Sequence, residues 1–242
     1  MNILTNYLKL IGINLSSTQI DQLYSYRKML IEWNKNINLT AIKDPNEILF
    51  KHFLDSISVH LVEPICNNKS FEIIDVGSGA GFPGLVLKIV FPDCYITLLE
   101  ATNKKVHFLE HIKNELELKN LNIVACRAEI AAQNTLYRER FDLVVARGVA
   151  KLTTLSELTL PFCKINGICV LHKGPKANIE VAESLTAIEK LGGSKTELFP
   201  ITHELDVPKN ETVFVKLTKS METPLKFPRP DGVPKKQPLL NK

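Results

Sequence analysis

Phe71-Glu-Ile-Ile-Asp-Val-Gly-Ser-Gly-Ala-Gly-Phe-Pro-Gly84 is the stretch on which the reading of this chain turns. Ile73, Ile74 and Val76 read as a short buried strand. Gly77, Gly79 and Gly81 then alternate, and a carboxylate, Asp75, stands two places before the first of them. Glycines here permit positive φ and leave no side chain between the main chain and a ligand. A helix opening near Phe82 presents free N–H groups to an anion. The segment is therefore a strand–turn–helix built to hold something small.

Two nucleoside cofactors compete for it. Gly79-Ala-Gly-Phe-Pro-Gly84 fits the dinucleotide pattern G-x-G-x-x-G, but its first glycine falls past the strand end at Val76. Pro83 also removes an amide donor where a pyrophosphate would lie. The spacing Asp75-x-Gly77-x-Gly79-x-Gly81 favours S-adenosylmethionine, with its carboxylate at the helix start. The second strand ends at Glu100, whose carboxylate can accept both hydroxyls of a ribose. Ala128 and Glu129 follow the third strand, where an adenine edge would lie. Ala128 leaves room for the ring, and Glu129 can bond its amino group. A helix-start glutamate stabilised by the dipole is the plainer alternative for Glu129.

Outward from this turn the texture alternates. Glu72–Val76, Cys94–Leu99, Asn122–Cys126, Phe141–Ala146 and Gly167–Leu171 are apolar runs separated by helix-length segments. This pattern implies an α/β fold with a mostly parallel, doubly wound sheet. Lys195–Pro200 and Thr212–Leu217 lack a helix between them, so an antiparallel edge hairpin is expected. Three helical segments precede the sheet. Ser16 and Gln19 have capping-box spacing before a helix with Ile20, Leu23, Tyr24, Leu30 and Ile31 on one face. Asp44-Pro45-Asn46-Glu47 starts another helix, which is expected to run to about Val62. The asparagine-rich Trp33–Thr40 reads as a turn between them. The expected division is an N-terminal helical cap (1–66), a methyltransferase domain (67–219) and a basic, proline-rich tail (220–242).

The 242 residues are 45% hydrophobic and 23% charged, an ordinary globular composition. No apolar run reaches the roughly 18 residues of a membrane span, and the start lacks a secretory pattern. Five cysteines without a C-x-x-C pair make neither a metal cage nor a disulfide framework. A cytoplasmic monomer with reduced thiols, no metal and no membrane contact is the expectation. From Lys216 onward seven cations, Lys242 among them, face only Glu222 and Asp231, so the formal charge of +4 belongs to the C-terminal end. Either an anionic partner such as RNA or simple solubility accounts for that. The recurring prolines make the tail extended, ordered only where something holds it.

The acceptor is narrowed by what is missing. The fourth strand ends in Ala146-Arg147-Gly148, not in the Asp/Asn-Pro-Pro-aromatic turn that serves exocyclic amines. Pro161-Phe162-Cys163 has the wrong spacing for cytosine-carbon chemistry. Guanine nitrogen 7 has an in-plane lone pair and no proton to lose, so placement and electrostatics suffice. Arg147 can bond the adjacent guanine carbonyl, although a strand-end arginine paired with a carboxylate is the plainer reading. Lys173, in His172-Lys173-Gly174-Pro175, would project over the same crevice toward a phosphate or guanine. In Lys51-His-Phe-Leu-Asp-Ser56, His52 and Asp55 share a helix face.

These residues together resemble the bacterial RsmG (GidB) family of small-subunit rRNA guanine 7-methyltransferases, over nearly the whole chain. The markers are Trp33–Thr40, Lys51–Ser56, Asp75–Gly84, Ala146-Arg147, Lys173-Gly174 and the tail Phe227–Lys235. The resemblance implies a class I, Rossmann-like methyltransferase. It implies methylation of one guanine in 16S rRNA near the decoding centre, within the small ribosomal subunit or a late precursor. It also implies cofactor contacts at Gly77, Phe82, Ala128, Glu129 and Arg147. This gives Arg147 partly to the cofactor, where the residues themselves give it to the guanine; it could bridge both, and which it serves is open. Gly148 departs from the Ala or Phe of many members. A small-molecule methyltransferase and a cofactor-binding assembly factor are the rival readings.

Overall fold

A computed structural model describes residues 2–201 and 211–240, so Met1 and Lys242 lie outside it. Two caps start the N-terminal helices where the sequence places them. After α1 (Asn2–Leu10), α2 (Ser17–Trp33) opens on a complete capping box between Ser16 and Gln19. Its buried positions are Leu23, Tyr26 and Leu30. Tyr24, expected on that face, is half exposed, and Tyr26 takes the buried place. The turn that follows closes on Asn34, whose Oδ1 accepts from the Leu39 and Thr40 amides. Asp44 accepts from the amides of Asn46 and Glu47 and starts α3 (Pro45–Ile48). The expected single helix to Val62 is broken: a π-helical turn, Leu49–Leu54, precedes α4 (Asp55–Ile57) and α5 (Val59–Val62). Such wide turns re-aim side chains and recur at functional sites.

The sheet is assembled from β1 (Glu72–Val76), β2 (Tyr95–Glu100), β3 (Leu121–Ala125), β4 (Phe141–Arg147), β5 (Cys163–Lys173), β6 (Gly193–Pro200) and β7 (Val213–Lys219). Between them run α6 (Gly84–Val90), α7 (Asn103–Glu115), α8 (Ala128–Ala131), α9 (Leu152–Thr159) and α10 (Ala177–Lys190). The spatial order is β3-β2-β1-β4-β5-β7-β6. The first five strands are parallel, and β7 runs antiparallel to both β5 and β6. The expected edge hairpin is therefore present. One core packs α1, α2, α6 and α7 against one face of the sheet, and a second lies under α9 and α10 on the other. Among the described residues no helix is long and apolar enough to cross a membrane.

Register fixes what meets at the carboxyl ends. Asp75 lies opposite Leu98 and Val145, and Val76 opposite Leu99. One or two steps on, Gly77, Glu100 and Arg147 stand level in a row, at the point where the order reverses between β1 and β4.

The body itself holds the tail over residues 220–240, the condition under which an extended, proline-rich segment is ordered. Phe227 is buried in the second core. The fully buried Lys219 donates to Leu160 O at 2.9 Å and pairs with Glu139 at 3.0 Å. Arg138 donates to Thr223 O and Phe227 O. Arg229 forks onto the fully buried Glu157 at 2.6–3.2 Å, and its own amide adds a further bond. A short α11 (Val233–Lys236) follows. Truncating one partner of a buried pair strands the other charge. Arg229→Ala should therefore lower unfolding stability by about 3–5 kcal/mol, read by urea denaturation, while Lys226→Ala should leave it nearly unchanged.

Candidate cofactor and acceptor site

The glycine loop departs from β1 with Gly77 at φ +75°, Gly79 at +60° and Gly81 at +100°. Each glycine has a different reason to be there. A Cβ on Gly77 would lie 2.8 Å from Val149, which reaches over it from the loop after β4. A Cβ on Gly81 would lie 2.4 Å from Leu85. Gly79 donates its amide to Glu100 Oε2 at 2.9 Å, while Glu100 Oε1 accepts from Thr102 N at 2.7 Å. Tyr26 donates its hydroxyl to Ala80 O at 2.5 Å and so pins the loop to α2. Burial raises the Tyr26 phenol well above its ordinary range, which keeps it a neutral donor.

Two hollows, of about 260 and about 380 Å3, flank this loop and share Gly77, Glu100 and Val149. The first reaches Ala128 and Glu129. The second is bounded by Gly79, Phe82, Thr40, His52 and Arg147. A groove of about 490 Å3 lies at the amino ends of the same strands, by Glu72, Tyr95 and Phe141, which is the wrong end of a parallel sheet for a nucleoside.

Arg147 joins the sheet to the N-terminal helices. Its Nη1 donates to Lys51 O at 3.0 Å and to Asp55 Oδ2 at 3.1 Å. Its Nη2 lies 2.7 Å from His52 Nδ1. A guanidinium only donates, so Nδ1 is the acceptor and the proton sits on Nε2, which faces Thr40 Oγ1 at 2.7 Å. The His52 ring stacks on Phe82 with centroids 4.4 Å apart, and the guanidinium lies 5.0 Å above the same ring. The expected sharing of a face by His52 and Asp55 thus resolves into a common partner. His172, beside Arg147 in the β4–β5 register, packs its Nε2 3.3 Å from Asp55 O. Burial, and then the Arg147 charge, lower His52 to about 3; burial lowers His172 to about 4.

A family model described as GidB, rRNA small subunit methyltransferase G, matches residues 19–205. The chain belongs to this family. Proteins named ribosomal RNA small subunit methyltransferase G match it along almost their whole length. The one from Oceanobacillus iheyensis is 42% identical over 94% of both chains. The one from Dehalococcoides mccartyi is 43% identical over 99% of this chain and all of its own. The S-adenosylmethionine-dependent O-methyltransferase structure from Thermotoga maritima is similar in fold, with a TM-score of 0.55 and 17% identity. It covers 80% of this chain and 72% of that one.

Set against the crevice, the sequence-derived residues divide. Gly77, Gly79, Phe82, Glu100, Ala128, Glu129 and Arg147 line the two hollows. Asp75 does not. It is fully buried, and its Oδ2 accepts from Gly84 N at 2.8 Å, so it braces the start of α6 from within. Its Oδ1 has no hydrogen-bond partner among the described residues, and burial raises the carboxyl to about 7. Gly81 likewise shapes the loop from outside the hollows. Lys173 is also drawn off: it donates to Ala150 O at 3.0 Å and pairs with Glu180 at 2.8 Å, its side chain one-tenth exposed. Glu180 in turn accepts from the Leu152 amide, so Lys173 fastens the loop after β4. Thr40, Lys105 and Val149 line the crevice unannounced: no periodicity marks Thr40 and Val149, loop residues that long-range packing brings in, and Lys105 comes from the first turn of α7.

The two histidines carry a pH signature. Their folded values lie below the ordinary 6.5, so between 6.5 and about 4 the unfolded chain binds more protons and stability falls as pH falls. His172→Gln should flatten that decline, as measured by urea unfolding from pH 7 to 4. The raised Asp75 acts oppositely across pH 4–7, so Asp75→Asn should steepen it.

Proposed function

We propose that this chain transfers the methyl group of S-adenosylmethionine to ring nitrogen 7 of one guanine in 16S rRNA, near the decoding centre. The carrying observation is the level row of Gly77, Glu100 and Arg147, with the guanidinium clamped over Phe82. The donor set fits the cofactor: bare glycine backbone at positive φ, a strand-end carboxylate for a ribose, and Ala128 and Glu129 beyond it. When bound, S-adenosylmethionine supplies an electrophilic methyl on a sulfonium.

This chain's own residues hold and orient. Glu100 serves the ribose hydroxyls, and Gly77 and Gly79 let the main chain approach. Three of Arg147's N–H donors meet Lys51, Asp55 and His52, leaving two of its five for substrate or cofactor. No general base is required, since guanine nitrogen 7 has a free lone pair, and no side chain in the hollow is asked to take a proton. His52 and His172 stay neutral at physiological pH and so add no competing charge beside Arg147. Lys173 acts through the loop it fastens and not by contact. The substrate is the small ribosomal subunit or a late precursor, met in the cytoplasm by a monomer.

Labelled methyl transfer to small subunits from cells lacking the enzyme, followed by nucleoside digestion and mass spectrometry, tests this. Stoichiometric 7-methylguanosine at one site is expected. Cofactor binding without transfer would sink the reading and leave an assembly factor. Arg147→Ala should reduce kcat/KM by more than about tenfold, and Arg147→Lys should not restore it, because the fork is lost along with the geometry. A near-native rate for either variant would remove Arg147 from the site.

A further inference from the structure

The hollow that reaches Ala128 and Glu129 has a third side made by the end of the chain. Asp231, Gly232 and Lys235 line it together with Thr154. This segment is built in. Gln133 Nε2 donates to Pro228 O at 2.8 Å, Thr154 Oγ1 donates to Pro234 O at 3.1 Å, and Arg127 faces Asp231 at 3.5 Å. The Gly232 amide donates to Glu129 Oε1 at 3.2 Å. Gly232 turns at φ +76°, and nothing lies within 4 Å of a Cβ placed there. Glycine is therefore required by the backbone turn that aims the amide, and not by crowding.

We infer that residues 231–235 are part of the S-adenosylmethionine site, closing its nucleoside end and setting the direction of the Glu129 carboxylate through the Gly232 amide. The inference rests on that cofactor occupying the crevice. Glu129 is buried in the first turn of a four-residue helix, and the Gly232 amide donates to its Oε1. One main-chain donor holds Oε1 and leaves the other oxygen available to a ligand. A carboxylate oriented beforehand loses less freedom on binding than one that must be ordered by the ligand. The C-terminal segment is thus a positioning element for the cofactor, whatever it contributes to RNA.

The test is calorimetric titration with S-adenosylhomocysteine, which carries the same nucleoside. A chain ending at Pro230 keeps Phe227 in the core and Arg229 on Glu157, so its fold is retained. Its Kd should weaken about tenfold, the scale of one or two lost polar contacts. Glu129→Ala should weaken binding comparably, and the two changes combined should lose clearly less than the product of their effects, because both remove one interaction. Lys236→Ala, which does not line the hollow, should bind as the unaltered chain does. Unchanged affinity in the shortened chain overturns the inference, and so do losses that multiply in full. Should the shortened chain lack a cooperative thermal transition, the full-length Asp231→Ala/Lys235→Ala variant carries the test. Severalfold weakening then supports the wall, and native affinity overturns it. Failure of the unaltered chain to bind S-adenosylhomocysteine would overturn the cofactor reading itself, and this inference with it.

Discussion

A guanidinium at the carboxyl end of a central strand must find acceptors, and much of this molecule is arranged to supply them. Arg147 takes a backbone carbonyl and a neutral imidazole from one wide helical turn, and a carboxylate from the start of the helix after it. Lys51 and Asp55 stand four apart, and His52 and Asp55 three apart, so their side chains share a face. There Lys51 O, His52 Nδ1 and Asp55 Oδ2 converge on one cation. The N-terminal helices are therefore not a mere cover. Tyr26 bonds the glycine loop, its ring stacks with Phe53 and Phe82, and Thr40 holds the far nitrogen of His52. Cap, loop and strand end form one rigid corner.

How much of this was legible depended on the range of the interaction. The alternation of strands and helices, both caps, the asparagine-closed turn and the edge hairpin are local patterns, and all are present. The residues lining the hollows followed from strand ends, because a parallel sheet places its ligands there. Asp75 and Lys173 were misdirected for one reason. Each sits at a strand end, but each finds a closer partner than a ligand: Gly84 N for the one and Glu180 for the other. The Glu180 contact spans a turn into α10, and nothing in the spacing reveals it. Tyr24 and Tyr26 exchanged roles because a three-residue step toward Leu23 favours Tyr26, whereas an adjacent step does not.

The tail shows the same limit from the other side. Its prolines exclude helix and central strand, which is correct for most of its length. Composition does not say that Lys219, Glu139, Glu157 and Arg229 form buried pairs beneath it. Such pairs stabilise little net, but they define a single docked position, since any other leaves a charge unpaired in the interior. Basic character that reads as a solvated extension is here partly spent on internal carboxylates. Lys235 and Lys236 remain exposed, Lys235 beside the hollow that it lines.

The crevice draws side chains from both ends of the chain: Thr40 and His52 on one side, Asp231 and Lys235 on the other. Domains fold as they emerge during synthesis, N-terminal parts first. The crevice lining is therefore whole only after Asp231 and Lys235, made later than the rest of the lining, have docked beside a body already formed.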